Sequence, residues 1–320
     1  MTLRENLWQF VVLGLAVTLV LSIYADLDAL LAAFRSFDTR LLAIVLALTL
    51  GNQLLRFVKW EYLLGEVDVS LPTTTSFYIF GSGLVMIMTP GKVGEVWKAW
   101  LVRDTNETPI ATTMPVIAVE RISDLLGVVC ISLLGVLAFD RSPVVLFVLL
   151  GGVVGGVVLL QYEPAGHWVI DHSERLPVIG DKAASVRELY ENSKRLLRVR
   201  PLGVTTGLSI VSWGLECVGL WLVVRGFGGD ISVVAAAFVF AVASILGAVS
   251  LLPGGLGVTE GSMTGLLLVF GVSSTVAASA TIVIRAATLW FVAGLALLVY
   301  GAFRRRRSMD IRLPEEEDRS

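Results

Sequence analysis

The sequence is short of charge. Only 16% of its 320 residues are charged and 55% are hydrophobic, whereas a soluble domain has about 25% charged residues. The shortage is uneven, because residues 161–200 and 304–320 hold 24 of the 52 charged residues and leave 28 for the other 263 positions. Most of the chain is therefore as apolar as a bundle of membrane helices, which excludes a soluble enzyme, a disordered chain and a nucleic-acid binder. We expect a multi-pass protein of the cell membrane.

Cysteine and histidine are also scarce, with two of each. Cys130 and Cys217 lie inside apolar runs, where a free thiol behaves as a small hydrophobic residue, and two are too few for a disulfide framework. His167 and His172 are five residues apart in a polar segment, which is not a metal-binding spacing. The net charge of −2 gives no reason to expect a polyanionic partner. The sequence thus predicts no metal, no cofactor and no nucleic-acid partner, and it contains no phosphate-binding glycine loop.

A membrane helix needs about 20 apolar residues, and six runs approach or exceed that length. They are Leu7–Tyr24, Leu41–Val58, Pro109–Phe139, Pro143–Leu160, Leu202–Val224 and Thr275–Tyr300. Two more apolar regions, 73–102 and 231–270, are interrupted by proline and glycine. We expect each to form a broken or re-entrant helical hairpin, because irregular backbone at membrane depth survives only where it is buried in protein or lines a wet cavity. A kinked span, or two short spans joined by a tight turn, is the alternative.

Residues 41–139 and 202–300 share a common layout. Three landmarks recur at nearly the same offset: the two Pro-Gly breaks are 163 residues apart, and two further pairs keep offsets of 164 and 161, namely Arg121 with Arg285 and Trp60 with Trp221. The pattern predicts a duplicated unit that consists of a helix, a broken hairpin and a second helix.

The distribution of basic residues predicts the orientation, since cytoplasmic loops carry the excess of lysine and arginine. Arg304–Arg307 follow the last span, and the basic residues of 194–200 precede the span that starts at Leu202. If each hairpin returns to the side from which it enters, both chain termini are cytoplasmic and the two hairpins enter from opposite sides. The expected fold class is therefore an all-α membrane protein with about six full spans and two hairpins in an inverted repeat.

The chain is expected to form one membrane domain over residues 1–303. Residues 161–200 are the predicted cytoplasmic linker. Within it, residues 181–200 place apolar side chains on one helical face, which indicates either an interfacial amphipathic helix or a plain solvated connector. Residues 304–320 form a charged tail for which we expect disorder.

Ionisable side chains inside a membrane cost roughly 2.5–3.5 kcal/mol each to insert, so they are candidates for function. Ten of them are predicted to bind a lipid headgroup: Arg56, Lys92, Glu95, Lys98, Glu120, Arg121, Asp124, Glu216, Glu260 and Arg285. The basic residues would hold a phosphate, and a carboxylate would engage a headgroup amine. Because isolated charges at such depth need partners, we expect Arg285 to pair with Glu216 or Glu260.

Structural alternatives exist for these residues. The lysines after the first break would extend to water from an interfacial hairpin, and the acids and arginine of 120–124 would lock two helices together. The backbone breaks consist of Pro90, Gly91, Gly94, Pro253, Gly254, Gly255 and Gly257. Because glycine tolerates positive φ and close approach, each break forms either an unwound coordinating segment or a tight turn.

Three motifs, in order along the chain, resemble a known family. They are PGKVGEVWKAWL at 90–101, ERISDL at 120–125 and LPGGLGVTE at 252–260, and NQLLR at 52–56 with Trp60 fits as well. Together they resemble the transmembrane region of lysylphosphatidylglycerol synthase, a flippase-like membrane family. The resemblance implies a membrane region that flips an aminoacylated phospholipid, which a following soluble domain makes in the full synthase. Related regions accompany glycosyltransferases of polyprenyl-phosphate sugar chemistry.

The expected function is translocation of an anionic or zwitterionic lipid, polyprenyl-phosphate-linked lipids included, through a polar cavity between the repeats. Two alternatives stay open: an enzyme or enzyme subunit in lipid-linked sugar or aminoacyl-lipid metabolism, and a carrier of solutes or ions. The chain itself is not expected to be an enzyme, because it shows no soluble catalytic domain. Membrane lipids are the expected partners, with a separate lipid-modifying enzyme as a further candidate. Cargo, direction, energy source and oligomeric state are not predicted.

Overall fold

The structure is a computed structural model that describes residues 37–88, 95–138 and 183–310, together with residue 35 and positions 147, 150–152, 154, 155, 157 and 158. The regular structure in these residues is helical. The helices are α1 (Thr39–Glu66), α2 (Thr73–Gly83, continued by a 3-10 turn at Leu84–Met88), α3 (Trp97–Asn106), α4 (Ile110–Ala138), α5 (Ala183–Leu196), α6 (Val199–Gly226), α7 (Val233–Val249), a 3-10 turn at Pro253–Gly255, α8 (Val258–Val269), α9 (Ser274–Arg285), a π-helical segment at Ala286–Phe291 and α10 (Val292–Asp310).

Four helices are long and apolar enough to cross a membrane: α1, α4, α6, and the continuous helix Ser274–Arg306 that contains α9 and most of α10. They correspond to four of the six predicted spans. The predicted span Leu7–Tyr24 lies outside the described residues, and Pro143–Leu160 lies largely outside them. The sequence-based boundary of the second span was wrong, because α1 continues for eight residues past Val58 to Glu66. Charged side chains end the apolar run there, but they do not end the backbone hydrogen bonding.

The two predicted hairpins lie between these long helices. The described part of the first consists of α2 and α3, and the break predicted at Pro90, Gly91 and Gly94 lies outside the described residues. The second consists of α7, a break at 250–257 and α8. Three glycines of this break, Gly254, Gly255 and Gly257, have φ values of 60°, 67° and 86°, a region that side chains with a Cβ adopt at a cost.

The ends of α1 and α6 are built alike. Both helices have 28 residues, and their first residues, Thr39 and Val199, are 160 positions apart. Each is followed by a residue in the left-handed region, Asp68 with φ 58° and Gly228 with φ 77°. The next N–H in each case donates to the carbonyl five residues back, at 3.0 Å and 2.9 Å. This is the closure typical of a helix C-terminus with a left-handed cap.

α1 and α6 pack together and run antiparallel. Asn52 Nδ2 donates to the backbone oxygen of Ser212 at 2.8 Å. A Cβ on Gly51 would lie 3.2 Å from Leu215, and a Cβ on Gly219 would lie 3.8 Å from Val45. Residue numbers therefore rise along one helix while they fall along the other. α1 and α6 thus point in opposite directions.

Apolar packing forms two main cores. One surrounds α6 to α9 and includes Val128 and Val129 of α4. The other surrounds Trp60 and involves α2, α3, the first half of α4 and α10. Because α4 contributes to both cores, it connects them.

The linker helix α5 packs onto the first half. Leu196 and Leu197 are buried in the core around Trp60, and Thr112 at the start of α4 donates to Glu188. On the exposed side, Arg195 Nη1 donates to Asp68 Oδ2 at 2.6 Å. This hydrogen bond holds the pKa of the Asp68 carboxyl below its usual range.

α4 and α6 pack closely at Gly127, and substitution of this glycine tests the packing. A Cβ on Gly127 would lie 2.9 Å from Ser209 Cβ and 3.1 Å from its backbone carbon, whereas a Cβ on Gly207 meets nothing within 4 Å. We expect Gly127→Ala to destabilise the protein by about 1–3 kcal/mol through overpacking. Gly207→Ala is the matched control and should be neutral or stabilising, since alanine favours helix by about 1 kcal/mol over glycine. Thermal unfolding in detergent measures both, and equal melting temperatures for the two variants would contradict this packing.

Candidate functional site

We call α1–α4 the first half of the chain and α6–α10 the second half, and a cavity of about 340 Å³ lies between them. Its polar wall comes from α1, α4, α6 and the C-terminus of α9, with Asn52, Gln53, Arg56, Arg121, Asp124, Glu216 and Arg285. The remaining wall is largely apolar and includes Leu125, Val128, Phe240, Ile245, Met263 and Leu289. The cavity therefore presents charged groups and hydrocarbon to one and the same ligand.

The carboxylate of Asp124 is the centre of the polar wall. Its Oδ2 lies 3.0 Å from Arg56 Nη2 and 3.2 Å from Arg121 Nη2, and its Oδ1 lies 2.5 Å from Lys59 Nζ. Ser209 of α6 also donates to Oδ1, at 3.1 Å. One buried carboxylate thus joins α1, α4 and α6.

A second set of ion pairs fixes α3 against α4. Lys98 Nζ lies 2.5 Å from Glu120 Oε2 and 3.7 Å from Glu95 Oε2. Arg121 Nη2 contacts the same Glu95 oxygen at 3.3 Å. Lys98 also lies 4.7 Å from the centre of the Trp60 ring, a cation–π contact. We call this whole set the Asp124 cluster: Arg56, Lys59, Glu95, Lys98, Glu120, Arg121 and Asp124.

The second half holds a smaller cluster at its glycine-rich break. Arg285 Nε donates to Glu260 Oε1 at 2.6 Å, and Arg285 Nη2 donates to the carbonyl of Gly254 at 2.7 Å. The other oxygen of Glu260 accepts the N–H of Gly257 at 2.7 Å. Arg285 and Glu260 therefore hold the unwound segment from both of its ends. The expected pairing of Arg285 is confirmed, with Glu260 as the partner.

Glu216 lies apart from both clusters. It lines the cavity and is only 4% exposed. Among the residues that the structure describes, no hydrogen-bond donor reaches its Oε2, and no ion pair involves it. Glu216 stands 160 positions after Arg56, and α1 and α6 thus bring opposite charges to the same cavity.

The structure divides the predicted site residues into two groups. Five of them line the cavity: Arg56, Arg121, Asp124, Glu216 and Arg285. Four others, Glu95, Lys98, Glu120 and Glu260, lie behind the wall and hold the lining residues in place. Of the predicted breaks, Gly254 and Gly255 line the cavity and Pro253 and Gly257 flank them. Lys92, Pro90, Gly91 and Gly94 lie outside the described residues.

Sequence reasoning missed Lys59. Its side chain is 1% exposed, and its ammonium binds Asp124 and Ser209. The prediction ended the membrane span at Val58 and so placed Lys59 in a loop. The missed signal is its spacing of three residues from Arg56, which puts both cations on one face of a helix that continues.

The geometry suits an anionic group. Guanidinium presents planar, paired hydrogen-bond donors that match phosphate oxygens. Two of the cavity arginines have an N–H donor that no described residue accepts. The Nε atoms of Arg56 and Arg121 are buried and make no hydrogen bond to any described residue. No three metal-ligating side chains converge within the ranges that the structure covers. The site can therefore bind a phosphate through arginine while its apolar wall contacts hydrocarbon.

The shared carboxylate predicts unequal effects of two substitutions. Asp124→Asn leaves Arg56, Lys59 and Arg121 without their common anion, and an uncompensated buried charge costs about 3–5 kcal/mol. Lys59→Met removes one of three cations and leaves Asp124 paired, so we expect a smaller loss. The double variant should recover part of the Asp124→Asn loss, because it relieves repulsion among the cations. A double-mutant cycle of unfolding in detergent measures the coupling, and additive effects would contradict the shared pair.

Comparison with known proteins agrees with this architecture. A UPF0104 membrane protein of Methanothermobacter thermautotrophicus is 28% identical over 313 residues, which cover 90% of this chain and 91% of the relative. A UPF0104 membrane protein of Pyrococcus horikoshii is 22% identical over 316 residues, covering 88% and 93%. The model of the lysylphosphatidylglycerol synthase TM region matches residues 11–296. The chain is thus a multi-pass membrane protein that belongs to the lysylphosphatidylglycerol synthase transmembrane-region family.

Proposed function

We propose that this protein is a lipid translocator, which moves an anionic or zwitterionic lipid between the leaflets of the cell membrane, polyprenyl-phosphate-linked lipids included. The observation that carries the proposal is the two-sided cavity, with arginines on one wall and hydrocarbon on the other. A translocator must shelter a charged headgroup at membrane depth while the tails stay in an apolar environment.

The arginines of the cavity supply the headgroup site. Arg121 is 27% exposed and Arg285 is 13% exposed at the side chain, and both line the cavity. Arg56 is more deeply buried, at 5%. A phosphate between them would accept hydrogen bonds from charged donors, which are stronger than hydrogen bonds between neutral groups.

The apolar wall continues to the outside of the bundle. Leu251 and Leu252 line the cavity next to the glycine-rich break and are 65% and 42% exposed. An apolar mouth of this kind favours a lateral path by which acyl or prenyl chains remain in the bilayer. A carrier of small solutes would need a cavity closed on that side.

The order of the elements supports an inverted repeat of α1–α4 and α6–α10. α1 and α6 are equivalent in length and in their closing turns, and they run antiparallel. Arg121 pairs with Glu95 in one half, as Arg285 pairs with Glu260 in the other. Repeats of opposite orientation around one site are frequent in proteins that alternate access. Arg304–Arg306 at the end of α10 favour a cytoplasmic C-terminus, and we place the N-terminus on the same side.

We assign no catalytic step to this chain. The central carboxylate, Asp124, is held by three cations, which disfavours a role as a proton acceptor. The enzyme that modifies or consumes the lipid would then be a separate protein.

Reconstitution tests the proposal. The protein is placed in liposomes that contain fluorescent headgroup-labelled lipids, and access of external dithionite reports movement between leaflets. We expect movement well above that of protein-free vesicles, and about a tenfold or greater loss for Arg121→Ala, since a hydrogen bond to a charged group is worth about 1.5–3 kcal/mol. Glu260→Ala should also slow movement, because it releases the break.

Arg103→Ala is the matched control, because Arg103 is exposed and the contact described for its side chain is with the Trp100 ring. It should move lipid at the rate of the unmodified protein. Lipid movement no faster than in protein-free vesicles, across several headgroups, would refute the translocator.

A further inference from the structure

Glu216 is the cavity acid that neither ion-pair cluster uses. The arginines of the cavity wall each have a carboxylate already: Arg56 and Arg121 share Asp124, and Arg285 binds Glu260. Glu216 has no such partner among the described residues, although it is 4% exposed and its Oε2 is buried. A buried carboxylate without a close counterion pays a desolvation cost when it is ionised.

Among the described residues, three helices that pack on α6 bring ionisable groups to the cavity wall or just behind it. α1 contributes the basic residues Arg56 and Lys59. α4 contributes Arg121 and Asp124, and α9 contributes Arg285. α7, which also packs on α6, has no ionisable residue and faces the cavity with Ser244 and Ile245. Arg56 and Arg285 line the same cavity as Glu216, and their positive charges favour its ionised form against the cost of burial.

A phosphate in the cavity changes that balance. It would bind the guanidinium groups of the wall and so bring a second negative charge into the low-dielectric space that Glu216 occupies. Two anions in one buried site repel each other strongly, and the repulsion is removed when one of them is protonated. Among the lining acids, Asp124 keeps three cations and stays ionised, whereas Glu216 is the group that accepts a proton at least cost.

We infer that Glu216 is a proton-binding site that couples proton uptake to the binding of a phosphodiester headgroup. The inference rests on the proposed function, since it adds the coupling ion to the same cavity. A proton is taken from the water on the side of the membrane from which the headgroup binds. It adds to a carboxylate oxygen of Glu216 and yields the neutral acid. When the headgroup leaves, the carboxylic acid returns the proton to water, on the other side of the membrane if the cavity has changed its access.

This coupling has a defined pH signature. Below the pKa of Glu216 the acid is already neutral, and the phosphate binds without proton uptake. Above it, binding requires uptake of one proton, so the apparent affinity falls by about tenfold for each pH unit. A membrane pH gradient would then drive lipid toward the side with the higher pH.

Binding to the purified full-length protein in detergent tests the site without transport. The probe is dihexanoylphosphatidylglycerol, a short-chain phosphodiester lipid, and proton uptake is measured by calorimetry in buffers of different ionisation enthalpy. We expect about one proton per bound probe above the Glu216 pKa, and none for Glu216→Gln, which should bind with a pH-independent affinity. Glu216→Asp keeps the acid and should keep the uptake.

Asp230→Asn removes an exposed carboxylate outside the cavity and serves as the control, with uptake equal to that of the unmodified protein. Equal uptake in Glu216→Gln would overturn the inference. An affinity that depends on sodium but not on pH would also overturn it, and so would a probe that fails to bind at any pH. Melting temperatures verify that each variant is folded.

The dithionite assay with an imposed pH gradient separates this inference from the proposed function. Coupling predicts that the gradient accelerates movement toward the higher pH in the unmodified protein and that Glu216→Gln loses this response. Movement that responds equally in both overturns the proton site and leaves translocation intact. No movement in any variant, at any pH, counts against translocation itself.

Discussion

The Asp124 carboxylate is the contact on which the arrangement of this membrane bundle depends. In the bilayer, apolar packing adds little preference for one helix partner over another, because lipid tails are as apolar as the side chains that they replace. Ion pairs between buried side chains supply the specificity instead. Asp124 binds cations from α1 and α4 and a hydroxyl from α6. These contacts fix the depth at which the three spanning helices meet and the rotation of each helix about its own axis.

Two arginine–glutamate pairs stabilise the bundle, and different groups support each of them. Arg121 binds Glu95 and Arg285 binds Glu260, and each glutamate follows a Pro-Gly pair in the sequence. The first half adds Lys59 and Lys98, which connect these residues into an extended network. The second half instead uses backbone, because Gly254 offers a carbonyl and Gly257 an N–H. A glycine-rich break can thus replace charged side chains, since its unwound backbone exposes polar groups.

Within the cavity, Arg56 and Glu216 differ both in charge and in pairing. They lie on the antiparallel helices α1 and α6, and in the part of the chain that the structure describes Arg56 binds Asp124 whereas Glu216 has no ion-pair partner. Buried polar atoms that lack a partner are rare in proteins and call for an explanation. A ligand that enters the cavity and completes these hydrogen bonds is one explanation, and it agrees with the amphipathic walls. Among the described residues, six of the thirteen buried side-chain atoms without a hydrogen-bond partner belong to the cavity wall, on Gln53, Arg56, Arg121, Trp213, Glu216 and Thr288.

The sequence by itself determined the class of protein, four of the spanning helices, the broken second hairpin and the charged residues that matter. These features depend on local composition, because hydropathy, glycine and proline act over a few residues. The tertiary structure alone decided that Arg285 binds Glu260 and not Glu216, that Lys59 belongs to the site, and that Glu95, Lys98 and Glu120 support the wall without lining it. Partners such as Lys59 and Ser209 are 150 residues apart. Nothing local encodes their contact, because it exists only once α1, α4 and α6 have packed and removed those charges from solvent.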